Sequence, residues 1–174
     1  NYYAKKFPNL DSRYIFSNSG FNLRPTDIQA AIGYNQFKRL DKLKKMRNSN
    51  RNLILKKILT SKKWQSQFSF IIPSKNMDPS WMGFPILVNE KFKKVKSKFI
   101  DLLDQEGIET RPIISGSFVN QPAVKLYKLN KNNEKFGEAQ KAQDLGFLIG
   151  LHTDKISKKK LNLIHDAFFK IDTL

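Results

Sequence analysis

The chain has 174 residues, enough for one domain with its own hydrophobic core and too few for two large domains. Its composition, 40% hydrophobic and 12% aromatic, is typical of globular proteins and excludes a disordered chain. The absence of cysteine excludes disulfides, thiolate metal sites and cysteine nucleophiles from these residues. There is no apolar run long enough for a membrane span and no apolar leader, so we expect a cytoplasmic protein. Since the first residue is not Met, we also expect the native N-terminus to lie upstream.

The chain is strongly basic: 32 Lys and Arg residues against 15 Asp and Glu residues give a net charge of +17. One interpretation is a free-standing basic module that binds nucleic acid. However, only six of the 32 basic residues are Arg, whereas phosphate and base contacts favour the Arg fork. We therefore favour a lysine-rich solvated surface over nucleic-acid binding. Such a surface would still attract a small, negatively charged substrate.

The first half of the chain predicts an irregular segment followed by a long helix. Pro, Asn, Ser and Gly punctuate residues 1–24. From Pro25, which suits the first helical position, apolar residues recur at helical spacing to about Leu59. Asp27 places a negative charge in the first turn, where the helix dipole favours it. We expect a bend near Asn48–Asn50.

The second half predicts an α+β (α/β) arrangement, in which helices pack on a small sheet. Gly107 is expected to end a helix, and Pro112 is expected to place the third strand at a sheet edge. The predicted elements are strands at 68–72, 84–88 and 108–114, a strand or turn at 147–151, and helices at 91–106, 120–127, 136–145 and 157–171.

Familiar catalytic motifs do not occur. There is no Gly-rich phosphate loop, no nucleophile elbow and no HExxH zinc motif. Of the two histidines, we expect His165 to be an ordinary helix residue, whereas His152 follows an apolar run and is ambiguous. Judged by these residues alone, the chain lacks a complete catalytic apparatus.

Two motifs nevertheless resemble a known family. Residues 20–33 read GFNLRPTDIQAAIG, and residues 107–118 read GIETRPIISGSF, followed by QPA. The segments WMGFPI at 81–86 and GFLIGLH at 146–152 agree with the same pattern. Together they resemble the C-terminal half of the DegT/DnrJ/EryC1/StrS family of sugar aminotransferases and dehydratases. The resemblance is strongest to the branch that acts on nucleotide-linked 4-keto-6-deoxyhexoses, which includes the 3-dehydratases.

The resemblance implies an aspartate-aminotransferase-like, fold type I homodimer that binds pyridoxal phosphate or pyridoxamine phosphate. Its substrate would be a nucleotide sugar in deoxysugar or lipopolysaccharide biosynthesis. The large domain, with the cofactor lysine or the histidine that replaces it in some dehydratases, would precede this chain. Residues 1–24 would then be a connecting segment, and residues 25–174 the C-terminal small domain with its long connecting helix. No catalytic residue is expected in this chain, and dehydration and aminotransfer both remain open.

The first motif supplies the candidate cofactor-binding residues, Asn22 and Arg24. Both precede a predicted helix start, where amides, an Asn side chain and a guanidinium suit a phosphate. The resemblance implies that Asn22 reaches the cofactor phosphate of the partner subunit. The alternatives are a turn or helix cap for Asn22 and a structural ion pair for Arg24.

The second motif and the late GLH segment supply the candidate substrate-binding residues, Arg111, Ser115, Ser117 and His152. Arg111 has the alternative of being an exposed charge at a strand end. Ser117 stands where the resemblance leads us to expect Asn, which weakens its assignment as a sugar contact.

Overall fold

The computed structural model describes residues 2–6, 21, 23–114, 116–130, 132 and 134–174. The chain divides into two compact units, Asn1–Arg39 and Leu40–Leu174. Most of the segment expected to be irregular lies outside the described residues. Within it, Tyr2–Lys6 forms a short helix, α1, where no helix was predicted.

Helix α2 of the first unit spans Asp27–Phe37. Its N-cap is Thr26, whose hydroxyl accepts from the Gln29 amide at 3.3 Å, while the Gln29 side chain accepts from the Thr26 amide at 2.9 Å. This reciprocal pair is a capping box, and it fixes the helix start two residues beyond Pro25. The prediction that Pro25 is the first helical residue was therefore wrong.

Helix α3 of the second unit spans Leu40–Leu59, so the predicted long helix is interrupted at residues 38 and 39. In that turn the Arg39 amide donates to the Gln36 carbonyl at 3.0 Å. This bond spans three residues, as in a 3₁₀ turn, and replaces the four-residue spacing of an α-helix. The expected bend at Asn48–Asn50 was wrong, because these residues lie inside α3. The Asn50 side chain is buried against another loop instead of competing for its own helix backbone.

Four strands form one antiparallel sheet in the order β1-β2-β4-β3. The third strand has only two residues, and it lies at an edge as Pro112 predicts. The apolar run near 147–151 is the interior strand β4, which pairs on both sides. The bounds are Phe68–Phe70 for β1, Gly83–Val88 for β2, Thr110–Arg111 for β3 and Gly146–Gly150 for β4.

The remaining helices lie close to their predicted places. Gly107, with φ of +76°, ends α4 as predicted: the Ile108 amide donates to the Leu103 carbonyl at 2.8 Å and the Gly107 amide to the Asp104 carbonyl at 2.9 Å. The bounds are Lys96–Gln105 for α4, Pro122–Leu126 for α5, Gly137–Leu145 for α6 and Lys158–Phe168 for α7, with 3₁₀ turns at Glu90–Val95, Phe118–Asn120 and Phe169–Thr173.

The hydrophobic core lies between the sheet and helices α3, α4 and α7. Phenylalanine dominates it: the Phe99 ring meets the Phe147 and Phe168 rings edge-on, with centroids 6.0 and 6.1 Å apart. Edge-to-face packing suits the quadrupoles of these rings. The strands near Phe68, Phe84 and Ile108 therefore share one sheet with the helices from Lys91 and Ser157 packed on it, which confirms the predicted α+β class.

Candidate functional site

The loop after β3, residues 112–121, carries most of the second motif. Arg111 ends β3 opposite Leu148, and its guanidinium is exposed. The Nε and Nη2 atoms of Arg111 donate to Glu109 Oε1 at 3.1 and 2.9 Å. An exposed pair of this kind contributes little to stability, so Arg111 can exchange its partner for a ligand at small cost.

The loop contains two of the candidate substrate-binding residues, Ser115 and Ser117. Ser115 lies outside the described residues. Ser117 is buried, only 1% exposed, and its amide donates to the side chain of Gln143 at 3.1 Å. Between them, Gly116 has φ of +64°, a conformation that glycine adopts at no steric cost. Gly116 and Ser117 therefore lie in a turn whose backbone is hydrogen-bonded to the side chain of Gln143.

A polar network on α6 surrounds this turn. Asn120 donates to Gln143 at 3.1 Å and to Gln140 at 2.8 Å, and Gln140 donates to Asp144 at 2.9 Å. Asp144 pairs with Lys93 at 2.8 Å. The hydrogen bond from Lys93 lowers the pKa of Asp144, and the same bond raises the pKa of Lys93. The network thus links the motif loop through α6 to the 3₁₀ turn before α4.

A small cavity of about 450 Å³ opens beside this loop. Its lining combines apolar and carboxamide side chains, a mixture that suits a polar ligand with some apolar surface. The lining residues are Pro112, Ile113, Ile114, Gly116, Asn120, Gln121 and Gln143.

His152 lies elsewhere, just after β4, where it is exposed and borders a second cavity of about 450 Å³. The backbone around it is held by Asn50, which is 1% exposed. The Asn50 amide donates to the carbonyls of His152 and Asp154 at 3.0 and 2.7 Å, and its oxygen accepts from the Ile156 amide at 3.0 Å. One side chain therefore satisfies three backbone groups of the loop that carries His152.

The structure does not bring all the candidate substrate residues into one cavity. His152 and Glu109, the partner of Arg111, border the cavity next to α3 and α7. Gly116 and Gln143 border the other. The sequence indicated Asn50 only as part of an expected bend and did not indicate Gln143, because a lone Asn or Gln in a helix carries no pattern that identifies its distant backbone partner.

The first motif is described only in part. Asn22 lies outside the described residues, and Arg24 is exposed. The N-cap of α2 is Thr26. The capping box also occupies the amides of Thr26 and Gln29 at this helix start.

His165, which we expected to be an ordinary helix residue, has a hydrogen-bond partner at each ring nitrogen. Its Nε2 lies 2.9 Å from Ser61 Oγ and its Nδ1 lies 2.8 Å from Asp166 Oδ1, a bond that lowers the pKa of Asp166. Among the described residues, no group of three or more His, Cys, Asp and Glu side chains is placed to hold a metal ion. Nor does any helix in the described ranges combine the length and apolarity that crossing a bilayer requires.

The fold is similar to that of solved enzyme structures. The chain superimposes with a TM-score of 0.74 on an E. coli GDP-4-keto-6-deoxy-D-mannose-3-dehydratase with bound hydrated PLP, at 22% identity over 90% of this chain and 39% of that one. The fold is thus that of aminotransferase-like enzymes. Residues 4–168 match the model of the DegT/DnrJ/EryC1/StrS aminotransferase family, and the chain belongs to this family.

The chain is also similar in sequence to two longer proteins. The chain is 26% identical over 162 residues to a GDP-4-keto-6-deoxy-D-mannose 3-dehydratase of Yersinia pseudotuberculosis, covering 92% of this chain and 39% of that protein. It is 32% identical over 115 residues to the lipopolysaccharide biosynthesis protein RfbH of Salmonella typhimurium, covering 64% of this chain and 25% of that protein. The chain therefore spans well under half the length of these relatives.

Proposed function

We propose that this chain is the C-terminal part of a pyridoxal- or pyridoxamine-phosphate-dependent enzyme that modifies a nucleotide-linked 4-keto-6-deoxyhexose. The observation that supports this most directly is the alignment of 92% of the chain with a 3-dehydratase of that substrate class, inside a family match to residues 4–168. The reaction is 3-dehydration or aminotransfer, which share the cofactor. It belongs to deoxysugar or lipopolysaccharide biosynthesis in the cytoplasm.

In this proposal residues 1–24 connect to a large domain, and residues 25–174 form the small domain. The enzyme is a homodimer. Asn22 and Arg24 offer an amide and a guanidinium, and this donor chemistry fits the cofactor phosphate. When bound, the cofactor supplies the electron sink or the amino group, and the protein supplies orientation and electrostatics.

Within this enzyme, we assign this chain the role of binding the nucleotide sugar. Arg111 has a guanidinium that is exposed and that, within the described part of the chain, pairs with the neighbouring Glu109, so it is available to a phosphate or sugar hydroxyl. Ser115 and Ser117 lie on the same loop, and His152 borders the other cavity. The excess of Lys over acidic residues gives a positive field that attracts a nucleoside diphosphate.

The test is to read the coding sequence upstream of Asn1, produce the full-length protein and incubate it with GDP-4-keto-6-deoxymannose, pyridoxamine phosphate and glutamate. Mass spectrometry distinguishes a product that has lost its C3 oxygen from one that has gained an amino group. No change in the sugar, with this or a dTDP-linked substrate, would overturn the proposal. Binding to nucleic acid that weakens steeply with salt would favour the basic-module alternative instead.

A further inference from the structure

The side chain of Gln143 on α6 touches the motif loop at two polar points. Its Oε1 accepts from the Ser117 amide and from the Asn120 side chain, both at 3.1 Å. Gln143 itself is exposed at the edge of the cavity beside the loop, whereas Ser117 beneath it is buried. A single exposed acceptor therefore satisfies a buried backbone donor of the loop.

The turn also rests directly on the same side chain. A Cβ placed on Gly116 would lie 2.8 Å from both Cβ and Cγ of Gln143. Real Cβ atoms do not approach other atoms this closely, so the Gly116 backbone packs directly against the aliphatic part of the Gln143 side chain with no room for a Cβ. The position of the turn is thus defined by contact with Gln143 as well as by hydrogen bonds.

Gln143 is itself held in place. Its carbonyl accepts from Lys96 Nζ at 3.0 Å, and burial lowers the pKa of Lys96. The neighbouring Asp144 is paired with Lys93 at 2.8 Å. These contacts hold helix α6 against the segment around α4. The Gln143 side chain therefore projects toward the loop from a backbone that is itself fixed.

We propose that Gln143 is a positioning residue of the substrate-binding loop, acting through the Ser117 amide to fix the backbone of Gly116 and Ser117. The proposal rests on the function proposed above, since it assigns that loop to the nucleotide sugar. It deepens that function by naming a residue outside both sequence motifs on which the loop geometry depends.

The contribution of the acceptor oxygen can be separated from that of the side-chain bulk. Gln143→Met keeps the length and volume but removes the acceptor, so the buried Ser117 amide loses its partner. Gln143→Glu keeps an acceptor at the same reach and should restore the loop. A purely space-filling role would predict that both variants behave alike.

The first measurement uses the 174-residue chain and needs no activity. Hydrogen exchange of the Ser117 amide should be about tenfold or more faster in Gln143→Met than in wild type, and close to wild type in Gln143→Glu. Gln140→Met is the matched control, because Gln140 bonds Asn120 but not the Ser117 backbone. Equal exchange of Ser117 in wild type and Gln143→Met would overturn the inference.

The second measurement uses the full-length enzyme and the nucleotide sugar. Gln143→Met should raise KM about tenfold with a smaller change in kcat, because a misplaced loop weakens substrate and transition state alike. Gln143→Glu should return KM to near wild type, and Gln140→Met should leave it there. An unchanged KM in Gln143→Met, in an enzyme that is active as wild type, would contradict the positioning role.

The two proposals fail in distinguishable ways. A wild-type full-length protein that leaves the nucleotide sugar unchanged would overturn the proposed function, and with it the assignment of the loop to substrate. Amide exchange would still decide whether Gln143 fixes the loop. Active wild type with Gln143→Glu as impaired as Gln143→Met would overturn the role of the acceptor alone.

Discussion

At the scale of single residues, two helical carboxamides hold the loops that border the two cavities. Asn50 on α3 makes three hydrogen bonds to the loop that carries His152, and Gln143 on α6 receives the Ser117 amide. Backbone groups outside regular structure need such partners when they are withdrawn from water. A carboxamide serves well, because it both donates and accepts without a charge to desolvate.

Replacement of Asn50 by Ala should lower the free energy of unfolding by about 2–4 kcal/mol, because three backbone groups of the loop lose a hydrogen-bond partner that is itself buried. Chemical denaturation followed by tryptophan fluorescence measures this change. Ser49→Ala, one position away on the same helix and exposed, is the control and should change stability by about 0.5 kcal/mol or less. Comparable losses in the two variants would show that the three bonds contribute little.

A second prediction at this scale concerns Asn22 in the full-length enzyme. If its amide donates to the cofactor phosphate, Asn22→Ala should weaken cofactor binding by about tenfold to a hundredfold while the melting temperature of the apoenzyme stays unchanged. Cofactor dissociation by absorbance and thermal melting on one preparation give both values. Unchanged cofactor affinity would refute the role assigned to Asn22.

At the scale of elements, what could be foreseen from sequence depended on how local the determining interactions are. The end of α4 at Gly107 and the edge position of β3 follow from one residue each, and both were predicted. The start of α2 was misplaced because a Thr–Gln pair outweighs the preference of Pro25. The pairing of β4 between β2 and β3, and the loops held by Asn50 and Gln143, depend on distant partners, which periodicity does not reveal.

Strand β4 gives a prediction about packing between elements. A Cβ on Gly146 would lie 2.3 Å from the Ala142 carbonyl oxygen and 2.6 Å from Ile113 Cδ1. Gly146→Ala should therefore reduce the free energy of unfolding by about 2–3 kcal/mol through overpacking. Gly150→Ala, at the other end of β4 with nothing within 4 Å of the new Cβ, is the matched control for thermal melting. Equal melting temperatures for the two variants would contradict this account.

The junction of α6 with the 3₁₀ turn before α4 gives a prediction about pH. Since the folded-state pKa of Asp144 is lowered, its contribution to stability is present above its ordinary pKa of 3.8 and is lost as pH falls through the lower folded value. The raised pKa of Lys93 keeps its contribution below 10.5 and removes it as pH rises through the higher folded value.

Melting temperatures of wild type and Asp144→Asn, followed from neutral pH to about pH 2, should therefore converge as the carboxylate is protonated. Asp104→Asn, on exposed α4 surface, serves as the control and should follow wild type throughout. A difference between wild type and Asp144→Asn that stays constant down to the lowest pH would show that the ion pair is not its source.

At the scale of the whole molecule, the proposed function places the residue that anchors the cofactor covalently outside this chain. The match to relatives covers 39% of one and 25% of another, and the proposal places the remaining parts of the cofactor site outside this chain. The core of α3, α4, α7 and the sheet is well packed by itself. We therefore expect folding of the chain to be separable from cofactor binding.

The 174-residue chain alone should bind neither pyridoxal phosphate nor pyridoxamine phosphate tightly. Equilibrium dialysis with each cofactor measures affinity, and borohydride reduction followed by mass spectrometry detects any covalent lysine adduct. The full-length enzyme is the positive control. A stoichiometric adduct on one lysine of the isolated chain would show that the cofactor site is complete within it.

The order of the strands has a consequence for how the chain acquires its structure during synthesis. The interior strand β4 pairs Gly150 with Gly83 and Ile149 with Thr110, so both of its neighbours are made long before it is. Until residues 146–150 leave the ribosome, no strand connects β2 to β3, and the edge of β2 that faces away from β1 stays unpaired. Pairing across such long loops is slow because the closure entropy is spent before the contacts form. A nascent chain arrested shortly before Gly146 should therefore be a substrate for chaperones and proteases, and one whose residues to Leu174 have all left the ribosome should resist both.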